Sequence, residues 1–456
     1  MSTAHVAREA ILALRADIAG GVFVPGDPGY DQARQTWTLA VDERPAMVVE
    51  AESAADVTAA VRFARSHGLR IAPQGTGHGA GPLEPLDDAL LMRTSRMRGV
   101  QIDPDARTAR ADAGALWQDV TEPASEYGLA ALAGTSPVVG VTGYTLGGGL
   151  GWLARSFGQA ANSVTAAETV TPDGRLVRTD PDHEPDLLWA IRGGGGVGVV
   201  TALDMRLYPV REAYAGVLFF PLQRAAEVLH CWREWTTSVP DEVTSVGRLM
   251  RFPPLPAVPD QLRGQAFALV EAVYLGDEDN GAELIAPLRQ LGPEMDTFAT
   301  IPARALGQLH MEPTEPVPAL GDGVLLTDFS AAATDCLVAV IGPDAGTPLT
   351  SVEVRHLGGA LGRPAPTAGA QPSIDASYLL AGVGIAPTSD AAETVRRHAQ
   401  AVKDAVAPWH ASYDHYNFAE NPVKADAVLP PDSYRRIQQV RSSYDPDAVI
   451  VSAHPV

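Results

Sequence analysis

A histidine stands inside a glycine-rich stretch, IAPQGTGHGAG, at residues 71–81. Three glycines alternate around Thr76 and His78, so the backbone can approach a ligand closely while the loop presents a single imidazole. A neutral imidazole nitrogen is a competent nucleophile near its ordinary pKa of about 6.5. The spacing therefore predicts a loop that wraps a cofactor and can bond to it through His78. A histidine that is only solvated or hydrogen-bonded is the alternative.

Two further glycine concentrations follow, AGTSPVVGVTGYTLGGGLG at 133–151 and IRGGGGVGVVT at 191–201. Backbone N–H groups in such loops form concave nests that bind phosphate oxygens, and a diphosphate is the natural ligand. The glycines do not have the GxGxxG spacing of a dinucleotide-binding turn, and GxxxxGK[ST] does not occur. The pattern favours a diphosphate cofactor over tight turns alone, and it disfavours an ordinary NAD-binding fold or a P-loop nucleotidase.

The elements before the first loop predict how it is positioned. PAMVVEAES at 45–53 is typical of a short buried strand, and SAADVTAAVRFARSHG at 53–68 is typical of a helix capped by Ser53 and ended by Gly68. LRIAPQ at 69–74 is then a second strand that runs directly into the loop. Short strands follow at 89–94, 99–103 and 108–114. Several short strands together with helices predict an α+β fold.

Composition narrows the class of protein. A length of 456 residues exceeds what one hydrophobic core supports and predicts two domains. The 34 Lys and Arg against 55 Asp and Glu give a net charge of −21, which disfavours nucleic acid and anionic membrane surfaces as partners. Cys231 and Cys336 cannot form a disulfide framework, residues 1–21 lack a secretory pattern, and no long uncharged apolar run occurs. These features predict a cytoplasmic protein, and the lack of HExxH-type motifs predicts no metal site.

Four motifs follow one another along the chain: RIAPQGTGHGAG at 70–81, GTSPVVGVTGYTLGGGLGWLARSFGQAANSV at 134–164, DLLWAIRGGGGVGVVT at 186–201, and a terminal YNF with RSSYDPDAVI. In order, spacing and composition they resemble the berberine-bridge-enzyme-like FAD-linked oxidases of the vanillyl-alcohol-oxidase fold superfamily. The resemblance implies a two-subdomain FAD-binding domain of the vanillyl-alcohol-oxidase (PCMH) type and a substrate domain with an antiparallel sheet flanked by helices. Together with a change to proline-rich connections near residue 211, it predicts an FAD-binding domain at 1–210, a substrate domain at 211–409 and a returning segment at 410–456.

The resemblance also implies how FAD is bound. In that family the histidine of the first loop carries the flavin through its 8-alpha methyl group, which makes His78 the expected covalent anchor. Members with two covalent links have a cysteine where this chain has Ser136, so a single link is expected. The resemblance implies cofactor contacts at Gly75, Thr76, Gly77, Gly79, Gly140, Gly143, Gly147, Gly148, Val200 and Asn417.

The implied chemistry is oxidation of a small organic substrate. A flavin takes hydride from a C–H next to oxygen or nitrogen, a side chain removes a proton, and dioxygen accepts the electrons to give hydrogen peroxide. Family members often have Tyr-x-Asn in the last motif, whereas HYNF puts His415 at the tyrosine position. The expected base is one of Tyr416, His415 and Tyr378, with His356 as a further candidate. For each of them a place in the core is the alternative.

Two other functions are alternatives at this point. One is a flavin dehydrogenase that uses another electron acceptor, and the other is a flavin-binding protein without turnover. The departure at His415 gives the second of these some weight. The substrate classes left open are amines, secondary alcohols, sugars and polycyclic natural products.

Overall fold

The first sheet lies near the N-terminus and carries the first glycine loop. The computed structural model describes residues 6–256, 258–366 and 368–456, so residues 1–5 of the stretch predicted to lack a secretory signal lie outside the described residues. The sheet consists of Gly21–Phe23 (β1), Met47–Glu50 (β2), Arg70–Gln74 (β3) and Ala89–Arg93 (β4). Its order is β1-β2-β4-β3, with β2, β4 and β3 parallel, so β3 is the strand at one edge.

Helices and the C-terminal tail hold this sheet. The helices are Arg8–Asp17 (α1), Tyr30–Ala33 (α2) and Ala54–Ser66 (α3). Ser53 caps α3 by accepting from the N–H of Asp56, and Gly68 has φ +66° just after the helix, which confirms both predicted ends. Ile71 in β3 pairs with Ile450 of the tail in a parallel bridge. The strand that leads into the first loop is thereby covered on its outer edge.

A five-stranded antiparallel sheet supports the other two glycine loops. It consists of Val100–Asp103 (β5), Thr108–Asp112 (β6), Val164–Val170 (β7), Leu176–Thr179 (β8) and Val199–Arg206 (β9), in the order β5-β6-β9-β7-β8. Its helices are Trp117–Glu126 (α4), Val141–Leu146 (α5), Ala154–Phe157 (α6) and Pro185–Ile191 (α7). Val141, Ile191 and Val200 share one core, so the second loop, which contains α5, and the third, before β9, are fixed to the same sheet.

An eight-stranded antiparallel sheet forms the remaining large layer. Its strands are Glu212–Pro221 (β10), Val243–Arg251 (β11), Ala266–Tyr274 (β12), Met295–Asp296 (β13), Ala299–Pro302 (β14), Ala319–Leu326 (β15), Leu349–His356 (β16) and Tyr378–Ile385 (β17). The order is β13-β10-β12-β11-β16-β17-β15, and β14 pairs with β10.

Helices cover one face of the eight-stranded sheet. They are Ala225–Thr236 (α8), Glu278–Arg289 (α9), Ala331–Ile341 (α10) and Ser389–Ala405 (α11). Leu229, Leu337 and Val395 of these helices share a core with alternate residues of the strands, among them Leu249 and Val354. The predicted α+β class, with an antiparallel sheet flanked by helices, is confirmed.

The final helix, Pro431–Tyr444 (α12), contacts α7 near the third glycine loop. The domain bounds at residues 210 and 409 stay a prediction. Across the described ranges, the structure contains no helix whose length and apolar character would let it cross a bilayer.

Candidate functional site

His78 lies in the loop that follows β3, beside an indole ring. The rings of His78 and Trp37 are stacked, with their centroids 4.3 Å apart and their planes inclined by 18°. The Nδ1 atom of His78 is 2.7 Å from the hydroxyl oxygen of Thr76. Burial lowers the pKa of His78 to about 3, so the imidazole is neutral at physiological pH. A neutral and oriented imidazole is the form that nucleophilic attachment requires.

A buried polar network supports the first loop. The side-chain amide of Gln74 donates to both carboxylate oxygens of Glu43, at 2.9 and 3.0 Å, and its oxygen accepts from Arg93. Gly77 has φ +84°, and a Cβ there would lie 3.0 Å from the Cα of Thr36. Backbone conformation and close packing therefore both require glycine at position 77.

The first and second loops meet at Gly140. This residue precedes α5, and a Cβ on it would lie 3.6 Å from the side chain of Thr76. Gly75 belongs to the first loop, and the nearest atom to a Cβ placed on it would be the carbonyl oxygen of Ala113 at 3.8 Å. The predicted site residues of the two loops are thus brought together.

Asn417 of the C-terminal segment holds the second glycine loop. Its side-chain oxygen accepts from the N–H of Gly149 at 2.9 Å, and its side-chain N–H donates to the carbonyl of Tyr144 at 3.2 Å. A Cβ at Gly147 would lie 2.4 Å from the Asn417 amide nitrogen. Two predicted site residues that are far apart in the chain, Gly147 and Asn417, are therefore in contact.

His415 lies in a buried cluster of amides beside Gly148. Its Nε2 atom is 3.3 Å from the side-chain oxygen of Gln159, and its Nδ1 atom accepts from the N–H of Asn417 at 3.3 Å. Gln159 in turn donates to the carbonyl of Gln371 at 3.2 Å. Burial lowers the pKa of His415 to about 3, so the ring is neutral. Because Nδ1 accepts, Nε2 carries the proton, and both nitrogens are engaged within the protein.

Tyr416 lies beneath the third glycine loop. A Cβ at Gly195, where φ is +76°, would lie 2.4 Å from the Tyr416 hydroxyl oxygen. The ring of Tyr416 also meets that of His454 edge-on, with centroids 4.6 Å apart. Val200 follows the same loop and is buried in the core of the five-stranded sheet. The structure therefore brings Tyr416 to the third loop, while Val200 packs behind that loop.

The described residues offer space and donors that fit a flavin cofactor with a diphosphate. Gly79 and Gly143 are exposed, and a Cβ at either position would meet no atom within 4 Å other than those of its chain neighbours and its own helix. The hydroxyl groups of Thr142 and Thr145 in α5 are buried and bond to none of the residues that the structure describes. Buried hydroxyls are costly unless a ligand or water satisfies them. The loops can thus supply backbone N–H groups, two hydroxyls and one imidazole to FAD.

Tyr378 lies on the helix side of the eight-stranded sheet, away from the glycine loops. Its hydroxyl oxygen is 2.7 Å from that of Thr236 in α8, and its ring stacks on His356 with centroids 5.5 Å apart. Trp232 and Phe329 contact the same ring. The structure does not bring Tyr378 together with His415 and Tyr416.

A buried arginine in α6 joins the second-loop region to the strand ends of this sheet. Arg155 donates to the carbonyls of Val243 at 2.6 Å, Pro240 at 3.3 Å and Leu357. One of its terminal nitrogens is 3.1 Å from Nε2 of His356. This histidine therefore takes part in an interface between layers.

Five buried side chains on the sheet face opposite the helices form a chain of alternating charge, which the sequence-based prediction missed. We call Arg248, Glu271, His310, Glu353 and Arg355 the charged chain. Arg248 is 3.2 Å from an oxygen of Glu271, and His310 bonds to the other oxygen. The Nε2 atom of His310 is 2.6 Å from Glu353, and Nε of Arg355 donates to Glu353 at 2.7 Å. The sequence signal for the charged chain is the presence of charges within apolar strands. FALVEAVY has one, Glu271, and SVEVRH has two at alternate positions, Glu353 and Arg355.

The partners within the charged chain outweigh the cost of burying it. Burial opposes ionisation, yet His310 and Arg248 keep the pKa of Glu271 below its usual value, and Arg355 and His310 do the same for the pKa of Glu353. Burial and Arg248 oppose protonation of His310, yet the two carboxylates raise its pKa. Three cations thus alternate with two anions in the charged chain. Within the described ranges, no group of His, Cys, Asp and Glu is arranged to hold a metal ion.

The fold and the site are similar to those of FAD-linked oxidoreductases. The family described as FAD binding domain matches residues 45–180. The (R)-6-hydroxynicotine oxidase of Paenarthrobacter nicotinovorans is 34% identical over 209 residues, which cover 45% of this chain and 46% of that protein. The match therefore spans about half the length of this curated relative.

Solved structures match nearly the whole chain. The BBE-like 1 protein of Physcomitrella patens superposes with a TM-score of 0.84 at 18% identity, over 98% of both chains. The 6-hydroxy-D-nicotine oxidase of Arthrobacter nicotinovorans superposes with a TM-score of 0.78 at 25% identity, over 95% of this chain and 96% of that one. Residues 45–180 thus match the FAD binding domain family, and the chain has the fold of the berberine-bridge-enzyme-like enzymes.

Proposed function

We propose that this chain oxidises a small organic substrate with covalently bound FAD and passes the electrons to dioxygen, which leaves as hydrogen peroxide. The observation that supports this most directly is His78, a neutral imidazole oriented by Trp37 and Thr76 inside a loop with open space beside Gly79. When bound, FAD supplies the redox chemistry, because it accepts hydride from a C–H next to oxygen or nitrogen and yields the electrons to an acceptor.

The residues of the chain would hold and orient this cofactor. His78 is the proposed tether, and Asn417 fixes the second loop by two hydrogen bonds. Ser136 is buried at 2% exposure in the position where a second link would need a thiol, so one covalent bond is proposed. The remaining proposed contacts are Gly75, Thr76, Gly77, Gly79, Gly140, Gly143, Gly147, Gly148 and Val200.

Proton removal from the substrate requires an acceptor beside the reacting carbon. Tyr416, His415 and Tyr378 stay the predicted candidates. Both nitrogens of His415 are engaged, and the Tyr378 hydroxyl pairs with Thr236. The Tyr416 hydroxyl is likewise engaged, by Ser452, so Tyr416→Phe tests whether this group acts as the base or only packs beneath the third loop. Loss of kcat together with loss of its pH dependence would assign the base, whereas lowered thermal stability alone would assign a packing role.

The substrate is sought with a peroxide-coupled screen of the purified protein. The compounds are amines, secondary alcohols, sugars and polycyclic natural products, and they include 6-hydroxynicotine, for which the matched relatives are named. Peroxide formation with at least one compound is the expected result. Stable yellow protein without any turnover would favour a flavin-binding role instead.

The choice of dioxygen as acceptor is tested by stopped flow. The protein is reduced without oxygen and then mixed with oxygenated buffer, and reoxidation is followed by flavin absorbance. Fast reoxidation with stoichiometric peroxide is expected of an oxidase. Slow reoxidation would refute the oxidase and point to a dehydrogenase with another acceptor.

For location we propose the cytoplasm, since Cys231 and Cys336 are both free thiols.

A further inference from the structure

Arg355 ends the charged chain on the side of the glycine loops. Its cross-strand neighbours are Val246 in β11 and Leu379 in β17. Val246 packs with Trp152, which follows the second loop, and Leu379 packs with Leu150 at the end of that loop. Since cross-strand neighbours share one face of a sheet, the side chain of Arg355 is directed toward that loop.

Contacts on the other side of Arg355 lead to the same place. Its guanidinium carbon lies 5.0 Å from the ring centroid of Phe418, the residue after Asn417. Burial opposes its charge, but Glu353 and Glu312 outweigh that cost and raise the pKa of Arg355, and Tyr144 lies close enough to contribute. A small cavity between the sheet and the loop is lined by Thr135, Leu150, Trp152, Thr244, Val246 and Arg355.

The guanidinium of Arg355 is held at one end and open at the other. Nε donates to Glu353 at 2.7 Å, and Glu353 is itself fixed by His310. Throughout the described part of the chain, the two terminal nitrogens of Arg355 donate to no residue, and no ion pair joins them to Glu312. The side chain of Arg355 is only 9% exposed and borders the cavity, so its terminal N–H groups are the donors that an acceptor entering there would meet.

We propose that Arg355 is a specificity-determining residue, which binds a carboxylate of the substrate between the eight-stranded sheet and the second glycine loop. The two terminal nitrogens form a planar fork that matches both oxygens of a carboxylate. Glu353 and the rest of the charged chain keep that fork in one orientation, so little side-chain entropy is lost on binding. The inference rests on the proposed function, because it places the substrate beside the loop that is proposed to hold the flavin.

The test compares carboxylates with their neutral amides on the flavin-loaded protein. The probes are acetate, benzoate and salicylate, each paired with acetamide, benzamide or salicylamide, and affinity is measured by calorimetric titration and by perturbation of flavin absorbance. The proteins are wild type, Arg355→Gln, Arg355→Lys, and Arg435→Gln as a control at an exposed arginine of α12. Thermal unfolding of each protein checks that it is folded.

In wild type and in the Arg435→Gln protein, at least one carboxylate should bind more tightly than the amide with which it is paired. Arg355→Gln should weaken the binding of that carboxylate by about tenfold or more, which corresponds to about 1.4 kcal/mol. The affinity for the amide should not change. Arg355→Lys should retain part of the preference, because it keeps the charge but loses the fork. If Arg355→Gln does not fold, the Lys variant carries the test, and an unchanged preference in it would count against the fork.

Several results would overturn the inference. One is a wild type without preference for any carboxylate, and another is a preference that survives in Arg355→Gln. A shift of the flavin reduction potential in ligand-free Arg355→Gln would also overturn it, because the arginine would then serve the cofactor. A colourless wild-type preparation would refute the proposed function itself, whereas yellow protein with unchanged carboxylate affinity in Arg355→Gln refutes only the role of Arg355.

Discussion

Replacing Gly148 by alanine should destabilise the fold, whereas replacing Gly143 should not. Gly148 has φ +107°, and a Cβ on it would lie 2.4 Å from the side-chain oxygen of Gln159 and 2.9 Å from that of Gln371. Both glutamines are buried at 1% exposure, so they have little room to move. Gly143 lies within α5, and a Cβ on it would meet no atom within 4 Å beyond its chain neighbours and the backbone of its own helix.

The magnitudes follow from these contacts. A left-handed backbone costs an alanine about 1–2 kcal/mol, and overpacking a dense interior costs about 1–3 kcal/mol more. Gly148→Ala should therefore lower the free energy of unfolding by about 2–5 kcal/mol. Gly143→Ala should raise it by up to about 1 kcal/mol, because alanine favours a helix over glycine.

Urea unfolding of flavin-free protein from riboflavin-starved cultures, followed by circular dichroism, measures both values. Flavin content should then distinguish the two positions in another way, because it depends on the space at Gly143. If the open space at Gly143 receives the cofactor, Gly143→Ala lowers flavin content in a stable protein. Wild-type stability in Gly148→Ala would refute the packing argument, and full flavin content in Gly143→Ala would refute the proposed contact.

Three further changes test other contacts in the molecule. Arg155→Met should cost about 2–4 kcal/mol in urea unfolding, because it leaves buried carbonyls unpaired, and an effect no larger than that of exposed Arg435→Met would contradict this. Asn417→Ala should cost about 1–3 kcal/mol and reduce flavin content, with a smaller loss in Asn417→Asp, which keeps the acceptor for Gly149. Burial raises the pKa of Glu43 to about 7 from 4.5, so the folded protein holds this proton more tightly and stability falls as pH rises between those values. Glu43→Gln should remove up to about 3 kcal/mol of that fall in unfolding measured between about pH 5 and pH 8, and an unchanged slope would contradict the assignment.

The glycine loops and their supporting strands could be predicted from the sequence because each is a local pattern. The strand before His78, the cap at Ser53 and the clustering of glycines all lie within short windows, and the structure has the predicted elements there. The stacking of Trp37 on His78 could not be predicted, because no spacing rule links these two positions.

The face of a strand and its pairing register are harder to predict. Alternation in ASYLLAGVGIAP could not decide whether Tyr378 points to the flavin site or to the helices, and the packing of α8 decides it. The charged chain draws on four separate segments, which only the register of β11, β12 and β16 brings together. The charges within the apolar strands FALVEAVY and SVEVRH were the signal, and their partners could not be read from either strand alone.

The central claim is that His78 carries the flavin covalently. The purified protein is precipitated with acid, washed, digested and analysed by mass spectrometry, beside His78→Ala as the control. We expect a yellow pellet and a single flavin-bearing peptide that contains His78, with all flavin released from the variant. A colourless wild-type pellet, or a flavin attached to any other residue, would contradict the claim.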